Sequence, residues 1–534
     1  MHTKADPKDS SQNISHATLS MAIGTALSRF TGLLRIFALA YALGFGALAD
    51  SYNLSNTLPN IIHDLVLGGV LTATFVPVFV EHIENKPDNA NDDISAIVSV
   101  SMVVLLATTI LFLAFAPYIV NLIDLYASTA TRLRETSLSI DLLRLFVPQV
   151  ACYGLFGLAT SLLNAHRKFT LPAFAPIINN IITITVLIGF GLIARHPDST
   201  WLVGHRYALL LLGLGTTSGI LMQFLILLPS LRKLDLRLHW NPSFSHPAVR
   251  KIVRLGAWTI GFVIANQISL LIVLAIAQHL EVGALSAYTY AYSFFQVPFG
   301  VITVSVMGTA VPALASSWFT RNHRAFSHTF SVGLTRILAV VLPATAVEVI
   351  TARPLIALLL GHGTGNFAST ALTGQALAML ALGLPGFSIF MYCMATLQSV
   401  QRMRTVFLFY LIQNAVNIML ALTLPKLLGL RGLMLSIAIS YDLIAIFAIF
   451  YVRRQLMPGM PRPPLRIVVR IITGTCFLAV AMAAGLGISG SNAVQWLLIR
   501  VMTALLGGGV IYLLISILLE TIDRRFRRAS HPRK

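Results

Sequence analysis

Apolar residues in this chain do not alternate in twos, nor do they return on one face every three or four positions. They run on for about twenty residues or more, again and again, with short polar and basic turns between. Runs of that length match the bilayer core crossed by an α-helix. Fourteen can be drawn: 17–46, 51–80, 94–122, 137–163, 171–194, 206–230, 251–279, 283–317, 327–352, 370–398, 404–425, 431–452, 466–487 and 494–520. A backbone in lipid must satisfy its own polar groups, and a helix does so within one segment. The pattern therefore predicts an all-α polytopic membrane protein of about fourteen transmembrane helices. An even number of spans puts both termini on one side.

Composition agrees. Of 534 residues, 56% are hydrophobic and 11% charged, against about 25% charged in soluble domains. The first sixteen residues are polar, and no short apolar run ends in a small-residue cleavage site, so no cleavable signal peptide is expected. Cys152, Cys393 and Cys476 lie in apolar runs without C-x-x-C spacing, so neither a disulfide nor a metal site is expected. A net charge of +19 would suggest a nucleic-acid partner in a soluble protein. Mapped onto the spans, 26 of the 38 Lys and Arg residues fall at the termini and in loops on their side, and 7 on the other. By the positive-inside rule both termini are cytoplasmic. The excess charge is topology plus attraction to anionic membrane lipids. No nucleic-acid partner is expected, even for the tail "RRFRRASHPRK".

The chain also repeats itself. "SLLNAHRKFTLPAFAPIINNIITI" is matched 234 residues later by "TLQSVQRMRTVFLFYLIQNAVNIM", so Asn164 falls on Gln398, Lys168 on Arg402 and Asn180 on Asn414. The copies lie six spans apart and so share one orientation. That predicts two six-helix lobes related by an axis along the membrane normal, with a substrate site between them. The expected organisation is a cytoplasmic tail 1–16, a first lobe 17–230, a basic cytoplasmic loop 231–250, a second lobe 251–455, two further spans within 456–520, and a basic tail 521–534.

Two arginines then change the picture. Arg29 and Arg35 sit inside the first span, in "SRFTGLLR", with no carboxylate nearby in sequence. Arginine near a helix centre costs at least ~2.5 kcal/mol on insertion scales. Six positions give about 9 Å of rise and about 120° of rotation, so both side chains can reach one wide, water-filled cavity. Guanidinium forks match phosphate oxygens, and an anionic substrate would supply the missing counter-charge. Snorkelling to an interface is the competing account, and it suits Arg29 better than Arg35. The second span is unusually polar, with Asp50, Asn53, Asn56, Asn60, His63 and Asp64. One of its faces must line a cavity. His63 reads as a cavity-wall donor, and Asp64 as a partner for His63 or an arginine. Asp442 has no local partner and reads either as an ion-coupling carboxylate or as a pair for a polar group on another helix. Asn266, Gln267, Gln413, Asn414 and Asn417 read as interhelical hydrogen bonders or, less simply, as a cation site.

"SRFTGLLR", "LPN…FVPVFVE", "SLLNAHRKFTLPAFAPIINN" and the Pro-Phe-Gly of span 8 together resemble the MurJ/MviN lipid II flippases of the multidrug/oligosaccharidyl-lipid/polysaccharide exporter superfamily, over essentially the whole chain. The resemblance implies two six-helix lobes in a V around a cationic cavity, with two C-terminal helices forming a groove for the polyprenyl tail. It implies a non-enzymatic activity: moving lipid II to the outer leaflet of a bacterial plasma membrane by alternating access. No cofactor is implied, with Na+ or the membrane potential as driving force and cell-wall synthesis proteins as further partners. The family's first-helix arginines match Arg29 and Arg35, and its aspartate at the start of span 2 matches Asp50. With Asn60, His63 and Asp64 these are the candidate substrate-binding residues. Asn266, Asn414, Asn417 and Asp442 are the candidate ion-coupling residues. The chain departs from the family's pattern where His63 replaces an arginine, and where the span 8 arginine and glutamate become Ser293 and Gln296. Acidic sodium-site positions of some members are amides here. The alternatives are a flippase of another polyprenyl-diphosphate-linked saccharide and a non-transporting scaffold of the cell-wall machinery. A membrane enzyme would need a carboxylate or metal constellation on the long loops 81–93 and 231–250, which hold no such set.

Overall fold

Long apolar runs become long helices because nothing interrupts them until a polar turn. The computed structural model of the chain describes residues 7–63, 75, 79–80, 90–123, 130–166, 168–194, 197–234, 236–362, 370–458 and 465–487. Among these there is no β-strand. The helices are α1 (Pro7–Leu43), α2 (Ala47–His63), α3 (Ala90–Ile123), α4 (Ala130–Phe146), α5 (Pro148–Ala165), α6 (Thr170–Ile193), α7 (Ser199–Gly204) and α8 (Arg206–Leu225). They continue as α9 (Pro247–Leu280), α10 (Ala284–Pro298), α11 (Val304–Phe319), α12 (His323–Leu360), α13 (Thr370–Ala381), α14 (Leu384–Ser399), α15 (Met403–Thr423), α16 (Leu430–Leu456) and α17 (Leu465–Gly487).

Ten stretches are long and apolar enough to cross a membrane, and the pair α13–α14, bent by 50°, makes an eleventh. The chain is thus a multi-pass membrane protein. These eleven correspond to spans 1 and 3–12 of the sequence pattern. The expected count of fourteen is not reached among the described residues. α2 has only 17 residues, α17 holds a shorter apolar stretch at Val469–Ala484, and the run 494–520 lies outside the described residues.

The chain divides into two compact units, one running to Ser286 and the other beginning at Ala287. In the first, α2 lies parallel to α4. Ser51 Oγ donates to Glu135 O at 3.4 Å and Ser55 Oγ to Ser139 O at 2.8 Å, so both bonds keep one separation of 84 residues. The segment before α9 is strapped to the first turns of α3. The backbone N–H of His239 donates to Ser95 Oγ and that of Asn241 to Ser99 Oγ, while Asp92 takes His239 and Asn241 side chains at 3.0 and 3.1 Å. Below that strap Ala248, Val249 and Ile252 of α9 join Ile94, Ile97, Leu158 and Leu162 in one apolar cluster. α9 therefore falls in the first unit. α7 is capped by Asp198, whose carboxylate accepts from Trp201 N at 2.6 Å and from the Thr200 hydroxyl at 2.8 Å. Those donors hold its carboxyl below the ordinary range. In the second unit Phe295 and Phe299 pack on Phe387 of α14, which in turn meets the edge of Tyr441 of α16. Leu478 and Met482 of α17 pack on Ala346, Val347 and Ile350 of α12.

The repeat is visible in each unit taken alone. Lys168 N bonds Leu163 O at 2.8 Å, and 234 residues on Arg402 N bonds Leu397 O at 2.9 Å. Both are six-to-one bonds at a helix end, and at the second copy the residue before the donor, Gln401, is left-handed, with φ of 61°. A helix break recurs too, at Val147 between α4 and α5 and at Leu382–Gly383 between α13 and α14.

Candidate functional site

The first helix places its arginines unequally. Arg29 is exposed and Arg35 half-buried, and among the described residues neither forms an ion pair with a carboxylate. Arg35 lies seven residues beyond Ser28 and four beyond Thr31, on one stripe of α1. Arg29 projects roughly 120° away from it. Along that stripe α6 approaches, and Asn180 Nδ2 donates to Ser28 O at 3.0 Å and to Thr31 Oγ1 at 2.9 Å. Arg35 is also within electrostatic reach of Tyr52 on α2. Tyr52 is 1% exposed, shares a 3.0 Å hydrogen bond with Thr216 of α8, and meets the Phe146 ring edge-on at 5.4 Å. Four helices, α1, α2, α6 and α8, are thus fixed around the arginine-bearing segment by uncharged polar groups.

The polar residues of α2 sort onto separate faces by helical spacing. Ser51 and Ser55 face α4. Asn56, Thr57 and Asn60 are half-buried, and Asn60 Nδ2 returns to Asn56 O at 3.0 Å. Asp50 is buried. Its carboxylate accepts from Gly283 N at 2.6 Å, Ser286 N at 2.8 Å and Ser286 Oγ at 2.6 Å. Asn53 Nδ2 donates to the same Ser286 Oγ at 3.1 Å. Gly283 is needed there: its φ is +86°, and a Cβ would run into the carbonyl of Phe45. The carboxylate of Asp50 thus caps the first turn of α10. His63 ends α2, and its side chain and Asp64 lie outside the described residues.

Of the four candidate ion-coupling residues, one lies in the first unit and three in the second. Asn266 is half-buried on α9, in the first unit. In the second unit α15 turns its amides to the serines of α16. Gln413 Nε2 donates to Ser440 Oγ at 3.1 Å, and Ser436 Oγ donates to Asn417 Oδ1 at 3.4 Å. Asn414 Nδ2 bonds Tyr410 O on its own helix at 2.8 Å. Asp442 lies two residues past Ser440, on the opposite side of α16. There its Oδ1 accepts from Gly386 N at 3.0 Å. That N–H is one of those freed by the break before α14, so Asp442 caps a broken helix and the amides bridge two intact ones.

Sequence reasoning passed over Tyr52, Thr216 and the reach of Asn180. Asn180 did carry a signal, as a repeated asparagine in an apolar run. Nothing in the sequence announced its partner on α1.

A profile of the family described as "Lipid II flippase MurJ" matches residues 39–516. The "Probable lipid II flippase MurJ" of Thermotoga maritima is 26% identical over 520 residues, 96% of this chain and 99% of that one. The "Lipid II flippase MurJ" of Burkholderia cenocepacia is 25% identical over 483 residues, 88% and 89% of the two chains. Among solved structures, "Lipid II flippase MurJ, inward closed conformation" matches with a TM-score of 0.77 at 20% identity, covering 95% of this chain and 98% of that one. An inward-facing multidrug resistance MATE family transporter of the MOP superfamily matches with 0.66 at 13% identity, covering 80% and 94%. At such identities the structures speak to the fold alone. The profile match spans most of the sequence, and on that ground the chain belongs to the lipid II flippase MurJ family.

Proposed function

We propose that this protein moves lipid II from the cytoplasmic to the outer leaflet of a bacterial inner membrane by alternating access, with Arg29 and Arg35 holding the pyrophosphate. The family match and the names of the relatives support the transported lipid. The arginines carry the rest. They lie in a membrane helix without an ion-pair partner among the described residues. An anionic substrate relieves the cost of keeping them there. The asymmetry of Lys and Arg between loops supports cytoplasmic termini.

The test is flipping of lipid II in vesicles reconstituted with the full chain. Arg29→Ala and Arg35→Ala should each abolish flipping while the protein still inserts, and lysine at either position should retain part of it. Wild-type rates in both alanine variants would overturn the pyrophosphate role.

A further inference from the structure

We infer that Asn180 is a positioning residue for the arginines: its side-chain amide sets the rotation of α1 and so aims Arg29 and Arg35. The inference rests on the reading that those arginines bind an anionic headgroup. It starts from a difficulty in α1 itself. Apolar side chains surround that helix on every side, with Leu27, Phe30 and Leu34 exposed and Ile36, Leu39 and Leu43 buried. Burial of a distinct apolar face is what ordinarily chooses a helix's rotation; in α1 that face, Ile36, Leu39 and Leu43, lies past the arginines, and no hydrophobic side chain is buried among residues 23–34. A helix free to turn by one residue's angle would carry its arginines round by about 100°.

Packing against α6 supplies the missing constraint. Gly24 sits on Ala173 and Phe174, the Ser28–Thr31 segment meets Asn180, and Tyr41 and Ala42 meet Gly191. All three contacts keep a separation of about 150 in residue number. The two helices therefore run parallel and in register along most of their length. The outer two contacts are close and apolar: a Cβ at Gly24 would meet Phe174 at 2.9 Å, and one at Gly191 would meet Tyr41 at 3.1 Å. The middle one is directional. Asn180 is 7% exposed and spends its amide N–H groups on one backbone carbonyl and one hydroxyl of α1. Thr31 Oγ1 passes its own proton to Leu27 O at 2.9 Å. Turning α1 would strand the buried amide of Asn180, where no solvent replaces a lost partner, while the Thr31 hydroxyl would keep Leu27 O on its own helix. Arg35 stands one turn past Thr31 on that same stripe. The amide thus fixes the stem of Arg35 toward Tyr52 and leaves Arg29 pointing away from α6.

The experiment uses the purified full chain and two probes, a polyprenyl diphosphate and an uncharged polyprenol of equal length. Asn180→Ala should weaken binding of the diphosphate about tenfold, the scale seen when hydrogen-bonded supports of a ligating side chain are removed. Polyprenol binding should not change. Thr31→Val, which keeps shape but removes the hydroxyl, should give a smaller selective loss. The double variant should be no worse than Asn180→Ala, because the hydroxyl acts through the amide. A purely packing role predicts otherwise: equal loss for both probes, or a fall in thermal stability with diphosphate binding intact. Either result overturns the inference. If Asn180→Ala does not fold, an unaltered diphosphate affinity in Thr31→Val overturns it. Arg35→Ala separates the levels. Loss of diphosphate binding there with none in the Asn180 and Thr31 variants removes this inference and leaves the proposed function standing. Unchanged binding in both Arg29→Ala and Arg35→Ala removes the reading beneath it.

Discussion

Removing the carboxylate of Asp50 should destabilise the protein more than any other single polar deletion on α2. Three donors converge on it, at 2.6, 2.8 and 2.6 Å, and it is only 4% exposed. Hydrogen bonds to a charged group are worth about 1.5–3 kcal/mol each, and an orphaned buried donor costs about 1–3 kcal/mol. The three donors are not equal. The Ser286 hydroxyl already accepts from Asn53, and it can rotate to another acceptor. The N–H groups of Gly283 and Ser286 cannot move without unwinding the first turn of α10. Asp50→Ala therefore strands two backbone donors, for a loss of about 3–5 kcal/mol. Asp50→Asn keeps one acceptor oxygen but turns an NH2 toward an N–H, so roughly half of that loss is expected. Ser286→Ala removes one donor to the carboxylate and the acceptor of the buried Asn53 amide, and should cost about 1–3 kcal/mol. Thermal unfolding of the purified protein in detergent checks the order: Asp50→Ala lowest, with Asp50→Asn and Ser286→Ala both above it. A melting temperature for Asp50→Ala equal to wild type would refute the reasoning, because it would mean those N–H groups find other partners at no cost.

Gly386→Ala should lower stability and Asp442→Asn should do so less, since a Cβ at 386 would fall 2.5 Å from the Cα of Asp442 while the asparagine still offers an oxygen to Gly386 N; the same melting assay checks both. Asp198 contributes to α7 only while ionised. Its carboxyl lies below the ordinary value of 3.8, so its stabilisation is complete above that pH and fades as pH falls through the lower folded value; amide exchange over residues 199–204 should quicken in Asp198→Ala at neutral pH and match wild type in strong acid. His63→Arg should preserve flipping and flatten its pH dependence, because histidine changes charge near neutral pH and arginine does not; vesicle assays at two pH values decide, and an unchanged profile counts against a headgroup role for His63.

What the sequence made legible was whatever depends on one segment. Run lengths located eleven of the spans, and the basic turns at 168 and 402 were visible as a repeat before their matching closures were seen. What depends on two distant segments was not. The partners of Asp50 lie 233 and 236 residues away, and an aspartate beside a cationic helix looks the same whether it faces a cavity or caps another helix. The run 370–398 reads as one span, although Leu382–Gly383 breaks it. Glycine and proline mark that break in "LGLPG", but the same residues occur in unbroken membrane helices. Asp442 and the α15 amides could have been separated in advance, since Ser440 and Asp442 are two residues apart and must point to opposite sides of a helix. Which neighbour each side would meet was a matter of packing.

Three of the described acids within the helices have their own donors, while the two arginines of α1 have no ion-pair partner among the described residues. Asp50 is held by Gly283 and Ser286, and Asp442 by Gly386. Asp141 has its own Arg144 at 3.7 Å. Each of these three carboxylates is thus engaged by backbone donors or by a cation of its own helix, whereas Glu348 of α12 is buried with its Oε2 unpartnered among the described residues. A guanidinium needs acceptors, and the polar side chain bonded to α1 from α6 is the amide of Asn180, with the Tyr52 hydroxyl of α2 within electrostatic reach of Arg35. These orient the segment without neutralising it. Under the proposed function, two positive charges in a medium of low dielectric cost solvation, and a bound anion relieves that cost. A carboxylate introduced beside them should relieve that cost and compete with the substrate. Thr216→Asp would put one next to Tyr52, the residue within electrostatic reach of Arg35. It should suppress lipid II flipping while the protein still inserts. A variant that flips normally would show that the positive charge of Arg35 is not what the substrate meets.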